Sequence, residues 1–405
     1  MTMYQERKGP TAKYAVLQAG YWIDYMILFS FAAVFLSGRG FSTSQIGTVT
    51  AGASILSMII QQFSGTIADK SKTVTIKMIS MIFVVSSLLC TGALLFLPKR
   101  YLSTMVFYTI ALSLQAAFSP ILSSLSLEFT NNGYDLNFGL ARSIGSLGYA
   151  LCANFMGTIV EANGPEIILP IFIGVYAVEL LVLWLYPRPE VQEGVKTQAQ
   201  EEPSSILQFL KSYKRFLTVM AAFILMFFPM FILNTYIIYF VRYFGGGEAE
   251  MGRALFINAM TEIPMMLVSS KIMRKTGADG MLKIAAVFIC VKMILIRICP
   301  SVTFFVLLHL TGFFIGGLFN VAAVYYINSI VGDRDMVKAQ AMFGLATSGL
   351  CGTLANYFGG IMLEHLTIPS VATIGVVSSF LGILVLLIAT DPKRFAGEPL
   401  KSTRE

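Results

Sequence analysis

The chain is dominated by apolar runs of about 20 residues, the length that an α-helix needs to cross the hydrocarbon core of a bilayer. Hydrophobic residues make up 56% of its 405 positions and charged residues only 13%. A soluble globular domain carries roughly twice that charged fraction. Barrel strands would alternate apolar and polar residues in short segments, and these runs do not. The sequence therefore predicts an all-α membrane protein.

Twelve such runs can be placed along the chain, with one long polar stretch near its middle. The predicted spans, numbered 1 to 12, cover residues 15–37, 46–68, 74–97, 102–127, 138–160, 167–187, 215–241, 249–271, 280–299, 302–331, 337–363 and 370–390. They predict an N-terminal six-helix bundle (1–187), a cytoplasmic linker (188–214), a C-terminal six-helix bundle (215–390) and a cytoplasmic tail (391–405).

The two halves contain related sequence. Residues 153–161, ANFMGTIVE, are nearly repeated 202 residues later as ANYFGGIMLE at 355–364. The apolar run that contains the first copy also holds Gly145 and Gly148. Such small residues let a neighbouring helix backbone approach closely. Duplicated helical halves that enclose a solute site are the plan of many transporters. We therefore expect two pseudo-symmetric six-helix bundles.

Basic residues divide unevenly between the two sides of the predicted bundles. Of the 29 Lys and Arg residues, most fall on the side of the N-terminus, and the opposite side holds only Arg39, Lys99, Arg100, Arg242 and Arg253. Cytoplasmic loops carry such an excess. We expect a multi-pass protein of the plasma or inner membrane with both termini in the cytoplasm. No small-residue cleavage site follows a short apolar core, so the first span is expected to be retained.

A short motif follows span 2. The segment GTIADKSK, with Gly65, Asp69 and Lys70, resembles the loop signature G-x-x-x-D-[RK]-x-G-[RK] of the major facilitator superfamily. Its weaker counterpart, SKIMRKTG, carries Arg274 and Lys275 at an offset of 205 residues. The resemblance implies the twelve-helix major facilitator fold, secondary transport and a gating role for these residues. A solvated charged loop that only sets orientation is the alternative.

Span 5 carries a second resemblance. Residues 138–152 are similar to the fifth helix of the lactose/proton symporter and its oligosaccharide-symporter relatives, and the matching residues are Arg142, Gly145, Gly148, Ala150, Leu151 and Cys152. In that family the arginine binds sugar hydroxyls, and an aromatic residue two turns on stacks on the sugar ring. The resemblance assigns these roles to Arg142 and Tyr149. The family's sugar-binding glutamate is replaced by Ser124.

Ionisable residues within spans are rare and usually functional. Asp24 lies near the middle of span 1, as either a structural ion pair or a proton or substrate contact. In span 8, Asn258 and Glu262 share a face, being four residues apart. Lys292 lies at a comparable depth in span 9. Glu262 is predicted to carry a coupling proton, and a static pair with Lys292 is the alternative.

Polar residues elsewhere in the spans complete the predicted site. His309 could relay a proton, although a structural hydrogen bond is the alternative, and it is expected to share a face with Asn320 in span 10. The predicted substrate-binding residues are Asp24, Gln115, Arg142, Tyr149, Asn234, Asn258 and Asn320. The predicted proton-coupling residues are Glu262, Asp24, Lys292 and His309.

Motifs of catalysis and nucleotide binding are missing from the sequence. It has no HExxH and no Walker loop, and its five cysteines are scattered in apolar runs. We expect no enzyme activity, no cofactor or metal, and no nucleic-acid partner. The predicted function is secondary transport of a sugar, nucleoside or organic acid by a monomer, with proton symport favoured. Drug/proton antiport, facilitative exchange and, from another class, a polytopic membrane enzyme or sensor are the alternatives.

Overall fold

The computed structural model describes residues 7–71, 73–189 and 205–395, and most of these residues are helical. By length and composition, eight helices in this part of the chain can cross a membrane, and a bent pair makes a ninth span. Three more helical segments coincide with predicted spans 8, 9 and 11 but are more polar or broken. The chain divides into two compact units, Met1–Thr197 and Gln198–Glu405.

The N-terminal unit contains spans 1 to 6. Span 1 is bent by 44° at a break next to Phe31. Two-residue strands, Arg7–Lys8 and Tyr134–Asp135, pair in parallel. The helices are Thr11–Tyr25, the π-helical Met26–Ser30 and Ala32–Gly38 (span 1), Thr43–Lys70 (span 2), Ile76–Phe96 (span 3), Tyr101–Asn131 (span 4), Phe138–Asn163 (span 5), and the 3-10 turn Pro165–Ile167 with Ile168–Trp184 (span 6).

The C-terminal unit contains spans 7 to 12. Spans 8 and 9 lie in Glu248–Arg297, which is broken at Gly277, where φ is +69°. The other elements are Ile206–Ser212, Lys214–Thr235 with Ile237–Tyr243 (span 7), Val302–Leu308, the 3-10 turn His309–Thr311 and Gly312–Ile330 (span 10), the 3-10 turn Asp333–Asp335, Met336–Gly344, the π-helical Leu345–Cys351 and Gly352–His365 (span 11), Ile368–Thr390 (span 12) and the 3-10 turn Pro392–Phe395.

Every predicted span coincides with a helical segment of the structure. The predicted linker, 188–214, contains the helix Ile206–Ser212, and its residues 190–204 lie outside the described part of the chain, as does most of the predicted tail. The domain limits at 187, 214 and 390 therefore remain predictions.

The internal repeat is visible in the backbone of each unit taken by itself. Span 1 leaves helical geometry at Phe31 (φ −96°, ψ 10°), and span 7 does so at Tyr236 (φ −111°, ψ 20°), 205 residues later. At the same offset, Gly40 and Gly245 have φ of +83° and +85°, a conformation that favours glycine.

The helix starts that follow these glycines also correspond. Ser42 begins span 2 with a capping box, in which its hydroxyl accepts from the Gln45 backbone N–H and the Gln45 side chain accepts in return. In span 8, 205 residues later, the Gly247 backbone N–H donates to the Glu250 carboxylate at 2.9 Å. Satisfying N–H groups in this way fixes where each helix begins.

Each unit is tied together at its first and sixth spans by a basic side chain. The Lys13 ammonium donates to the Leu185 carbonyl oxygen at 3.0 Å. In the other unit, the Arg215 guanidinium donates to the Ala389 carbonyl oxygen at 2.9 Å. These contacts lie 202 and 204 residues apart in the sequence. They satisfy carbonyl groups that the last turn of a helix leaves without a partner.

Spans 1 and 5 approach each other closely, which confirms the expectation for the small residues of span 5. A Cβ atom added at Gly145 would lie 2.6 Å from Cδ1 of Trp22 and 3.0 Å from the backbone oxygen of Gln18. One at Gly148 would lie 3.3 Å from the Ile23 side chain. Any larger residue at Gly145 would push span 1 away, so this glycine sets the distance between the two spans.

Candidate functional site

The polar residues of the N-terminal unit include a cation held on an aromatic surface. The guanidinium carbon of Arg142 lies 4.0 Å from the centre of the Trp22 ring, and Nη1 of Arg142 donates to the Ser146 hydroxyl at 2.7 Å. The Tyr149 ring stands edge-on to Trp22, with ring centres 6.5 Å apart. The Tyr149 and Ser30 hydroxyl oxygens are 3.1 Å apart.

This group spans two helices and is half-buried rather than enclosed: Trp22, Arg142, Ser146 and Tyr149 are all of intermediate exposure. We call these four residues the Arg142 platform. Arg142 and Tyr149 lie seven residues apart on one continuous helix, so they share a face. The platform offers guanidinium donors beside aromatic rings, which suits a ring compound that carries hydroxyl groups.

Asp24 has a partner that the sequence analysis did not identify. Its side chain is 0% exposed, and that of Glu179 in span 6 is 2% exposed. The two carboxyl groups lie within hydrogen-bonding reach of each other. Within the described part of the chain, none of their four oxygen atoms receives a hydrogen bond from a donor group. Asp24 therefore contacts a second acid. The choice between a structural ion pair and a proton or substrate contact stays a prediction.

Gln115 is placed away from solvent. Its side chain is 1% exposed, and its amide donates to the Tyr21 backbone oxygen at 3.1 Å. This bond occupies a carbonyl in the helix that carries Asp24 and Trp22. Gln115 therefore supports the geometry of span 1, and the structure does not bring it to the exposed edge of the Arg142 platform.

In the C-terminal unit, the structure brings Asn258, Glu262 and Lys292 together. The Asn258 amide lies 3.5 Å from the Glu262 carboxylate, and that carboxylate acts electrostatically on Lys292. Lys292 is 1% exposed, whereas Glu262 is half-buried. Gly316 in span 10 lies against the Glu262 carboxylate and leaves no space for a larger side chain. An acid and a base thus interact electrostatically in one cluster, and the static pair that the sequence analysis allowed stays a prediction.

His309 is 2% exposed, and its Nδ1 lies 3.0 Å from the Phe305 backbone oxygen. Lys292 acts on it electrostatically. Asn320, by contrast, is exposed. The 3-10 turn His309–Thr311, with about three residues per turn, lies between the two residues, and the expected shared face stays a prediction.

Asn234 is exposed, whereas Lys292 of the Glu262 cluster is buried. Its neighbour Thr235 instead donates to the buried Asn356 side chain at 2.7 Å, and the Tyr236 hydroxyl donates to the Asn356 backbone oxygen at 2.7 Å. These bonds join span 7 to span 11 at the helix break.

The residues of the predicted gating motifs lie at helix ends. Gly65 and Lys70 belong to the last turns of the helix Thr43–Lys70, which extends two residues beyond the predicted end of span 2. Arg274 and Lys275 are exposed just before the break at Gly277. Asp69 is helical; its gating role remains a prediction.

Two site residues were missed by sequence reasoning. Trp22 is one of them, because nothing local predicts that it supports an arginine 120 residues away. Glu179 gave a signal that could have been used: it is the single carboxylate in the apolar helix Ile168–Trp184. An isolated acid in a membrane span is a functional candidate by default.

Two compact helical units, each with buried polar and charged groups inside apolar spans, define a multi-pass membrane protein of the transporter class. A profile described as the MFS_1 like family matches residues 21–371. The chain belongs to this family, which confirms its assignment to the major facilitator superfamily.

Relatives of similar length support this assignment. The maltose permease of Geobacillus stearothermophilus is 23% identical over 395 residues, which are 96% of this chain and 98% of that protein. The uncharacterized transporter YwbF of Bacillus subtilis (strain 168) is 25% identical over 338 residues, which are 82% of this chain and 80% of that protein.

Solved structures show the same fold. A mutant of the nucleoside transporter NupG aligns with a TM-score of 0.80 and 15% identity, covering 94% of this chain and all of that one. A bacterial homolog of the human lysosomal transporter Spinster aligns with a TM-score of 0.66 and 14% identity, covering 97% and 98% of the two chains. The predicted fold, twelve helices in two pseudo-symmetric six-helix bundles, is confirmed, and the chain is a membrane transporter.

Proposed function

We propose that this transporter moves a small polar ring solute, a sugar or a nucleoside, by alternating access and proton symport. It is proposed to act as a monomer in the plasma or inner membrane with both termini in the cytoplasm. The bundles 1–187 and 215–390 are the proposed moving bodies, and the segment 188–214 is their cytoplasmic connection.

The Arg142 platform is the observation that carries the choice of solute. Guanidinium N–H groups donate to hydroxyl oxygens, and the adjacent rings of Trp22 and Tyr149 offer apolar faces to a sugar ring or a base. The names of two similar proteins, a maltose permease and a nucleoside transporter, point to the same two solute classes. An organic acid, which Arg142 could also bind, is the third class to test.

Proton coupling is proposed because acids lie within the spans of both units. Glu262 with Lys292 and His309 forms one candidate proton site, and Asp24 forms another. A solute that binds two conformations equally well shifts neither of them, so concentrative transport needs a second ligand with its own preference. The remaining predicted residues, Gln115, Asn234, Asn258 and Asn320, are proposed to support or extend the solute site, and the Asp69 and Arg274 motifs to gate it.

The test is solute uptake by vesicles that contain the purified protein, with panels of sugars, nucleosides and carboxylates. An imposed pH gradient, alkaline inside, should concentrate one sugar or nucleoside at least about tenfold, equivalent to about 1.4 kcal/mol. A protonophore should abolish the accumulation but leave counterflow exchange. The variant Arg142→Lys keeps the charge but loses the planar group stacked on Trp22, so solute affinity should fall about tenfold.

Arg253→Lys is the matched control, because Arg253 is exposed and forms a surface ion pair with Glu250. It should transport like the wild type. Uptake driven only by the opposite gradient would indicate antiport, and uptake indifferent to any gradient would indicate facilitative exchange. Either result would overturn symport. If carboxylates are the only panel members taken up, the proposed solute class is wrong.

A further inference from the structure

Asp24 and Glu179 form an isolated pair of acids inside the N-terminal unit. Both are almost completely buried, their carboxyl groups lie within reach of each other, and within the described residues their oxygens accept no hydrogen bond from a donor. Gly20, one turn before Asp24, makes the contact possible. A Cβ atom there would already touch the Glu179 carboxyl carbon at 3.4 Å.

The groups around this pair are neutral. Span 1 contributes Tyr21 and span 5 contributes Cys152, which Asp24 influences electrostatically. Span 6 contributes Tyr176, whose buried hydroxyl has no hydrogen-bond partner in the described part of the chain. The facing residue of span 4 is Gln115, whose amide is bonded to the Tyr21 carbonyl.

Among the described residues, no cation acts on the pair. Within the described residues, the electrostatic effects on Asp24 and Glu179 come from each other. Arg142, on the neighbouring span, acts on Tyr14 and Tyr21, donates to the Ser146 hydroxyl and lies on the Trp22 ring. Arg39, at the end of span 1, is bonded to Glu166.

Two ionised carboxylates in direct contact in such surroundings repel each other strongly, and burial removes the water that would stabilise them. A carboxylic acid that donates its O–H to a neighbouring carboxylate satisfies both groups at once. The direct contact favours a proton over a metal cation, since a sodium ion held between the groups would need several more oxygen ligands around it.

We propose that Asp24 and Glu179 together form the proton-binding site of the transport cycle, holding one exchangeable proton between spans 1 and 6. This inference rests on the proposed symport and replaces Glu262 as the primary proton carrier. Glu262 interacts electrostatically with Lys292, so a nearby cation compensates its charge without a proton. The acid pair has no such compensation.

Span 1 connects this site to the solute. Asp24 lies two residues after Trp22, which supports Arg142, and is followed at once by the π-helical turn Met26–Ser30 and the 44° break. Such segments mark places where a helix changes shape at low cost. A movement of span 1 that follows solute binding therefore also separates Asp24 from Glu179.

The proton balance of this step is simple. With the carboxyl groups in contact, one O–H bond of the pair holds the proton. When span 1 moves and water enters, that O–H bond breaks, the proton passes to a water molecule, and the pair is left with two carboxylates that water solvates. Return to contact requires one proton to be taken up from the side that is then open.

The first test needs no solute. Infrared spectra of purified wild-type protein, titrated from about pH 5 to about pH 9, should contain a protonated-carboxyl stretching band that disappears as the pH rises. Asp24→Asn and Glu179→Gln should each remove this band. The control Glu161→Gln, at an exposed position near the end of span 5, should leave it unchanged.

The second test uses vesicles. Glu179→Gln and Asp24→Asn should lower accumulation driven by a pH gradient about tenfold or more, to the equilibrium level, while counterflow exchange stays within about twofold of wild type. The exposed control Glu161→Gln should retain gradient-driven accumulation. Size-exclusion profiles and thermal unfolding of each variant show whether it is folded.

Several outcomes would overturn the inference. These are a wild-type band that does not respond to pH, unchanged accumulation in both variants, or accumulation that requires sodium and ignores the pH gradient. If wild-type vesicles transport no panel solute, the proposed function fails, yet the infrared titration still decides whether the pair binds an exchangeable proton. If neither variant folds, the wild-type titration decides alone.

Discussion

The two units share their backbone features but differ in how they hold buried charge. Each has a break in its first span, a left-handed glycine, a capped second span and a basic side chain that binds the end of its sixth span. In the N-terminal unit, however, the buried acid Asp24 meets a second acid, Glu179, whereas in the C-terminal unit Glu262 acts electrostatically on a base, Lys292. The duplicated framework therefore constrains the backbone, while the chemistry of each half is set by individual side chains.

The strongest test of this difference is the variant Glu262→Gln. It leaves the ammonium of Lys292 buried without the carboxylate that faces it, which costs about 3 kcal/mol of stability. Thermal unfolding of the purified protein should show the loss, and the double variant Glu262→Gln with Lys292→Met should recover most of it. A single variant that unfolds like wild type would show that no ion pair operates in this unit.

The packing of span 1 on span 5 gives the next largest effect. Gly145→Ala places a methyl group against Trp22 and the Gln18 backbone, which costs about 2 kcal/mol. It also moves Trp22 away from Arg142, so solute affinity should fall about tenfold in a binding assay.

Gly174→Ala is the control for that variant, because a Cβ atom at Gly174 meets nothing within 4 Å. It should be neutral or gain about 0.5 kcal/mol from the better helix propensity of alanine. Equal effects at the two glycines would contradict the close approach of spans 1 and 5.

Asp24→Asn should have the opposite sign from Glu262→Gln. The new amide can donate to the Glu179 carboxylate in place of the acid's O–H, so stability at neutral pH should stay equal or rise by about 1 kcal/mol. The measurement is the same thermal unfolding in detergent. A loss as large as that of Glu262→Gln would mean that the two buried acids are held in the same way, and the comparison between the units would fail.

The smallest expected effect concerns the part of the framework that the units share. Ser42→Ala removes the side-chain cap of span 2, and Glu250→Ala removes the corresponding acceptor at the start of span 8. Each should cost about 1 kcal/mol or less. Similar losses in thermal unfolding would support equivalence of the two helix starts, and a loss at only one would limit the repeat to the backbone.

Much of this architecture could be predicted because its causes are local. Span lengths follow from apolar runs, and the near-repeat of ANFMGTIVE as ANYFGGIMLE indicated the duplication. The pairing of Asn258 with Glu262 also followed from helical spacing. Prediction is weakest where a helix is irregular: a 3-10 turn lies between His309 and Asn320, and a period of 3.6 residues assumes unbroken helix.

The sequence by itself determined that this is a duplicated twelve-span membrane protein of the major facilitator type, since bilayer thickness and backbone hydrogen bonding restrict a chain of apolar runs to helices. Only the tertiary structure decided that Asp24 meets Glu179 and that Arg142 lies on Trp22. These partners are 155 and 120 residues apart. Which side chains meet depends on how each helix is rotated and packed against its neighbours, and no single segment encodes that.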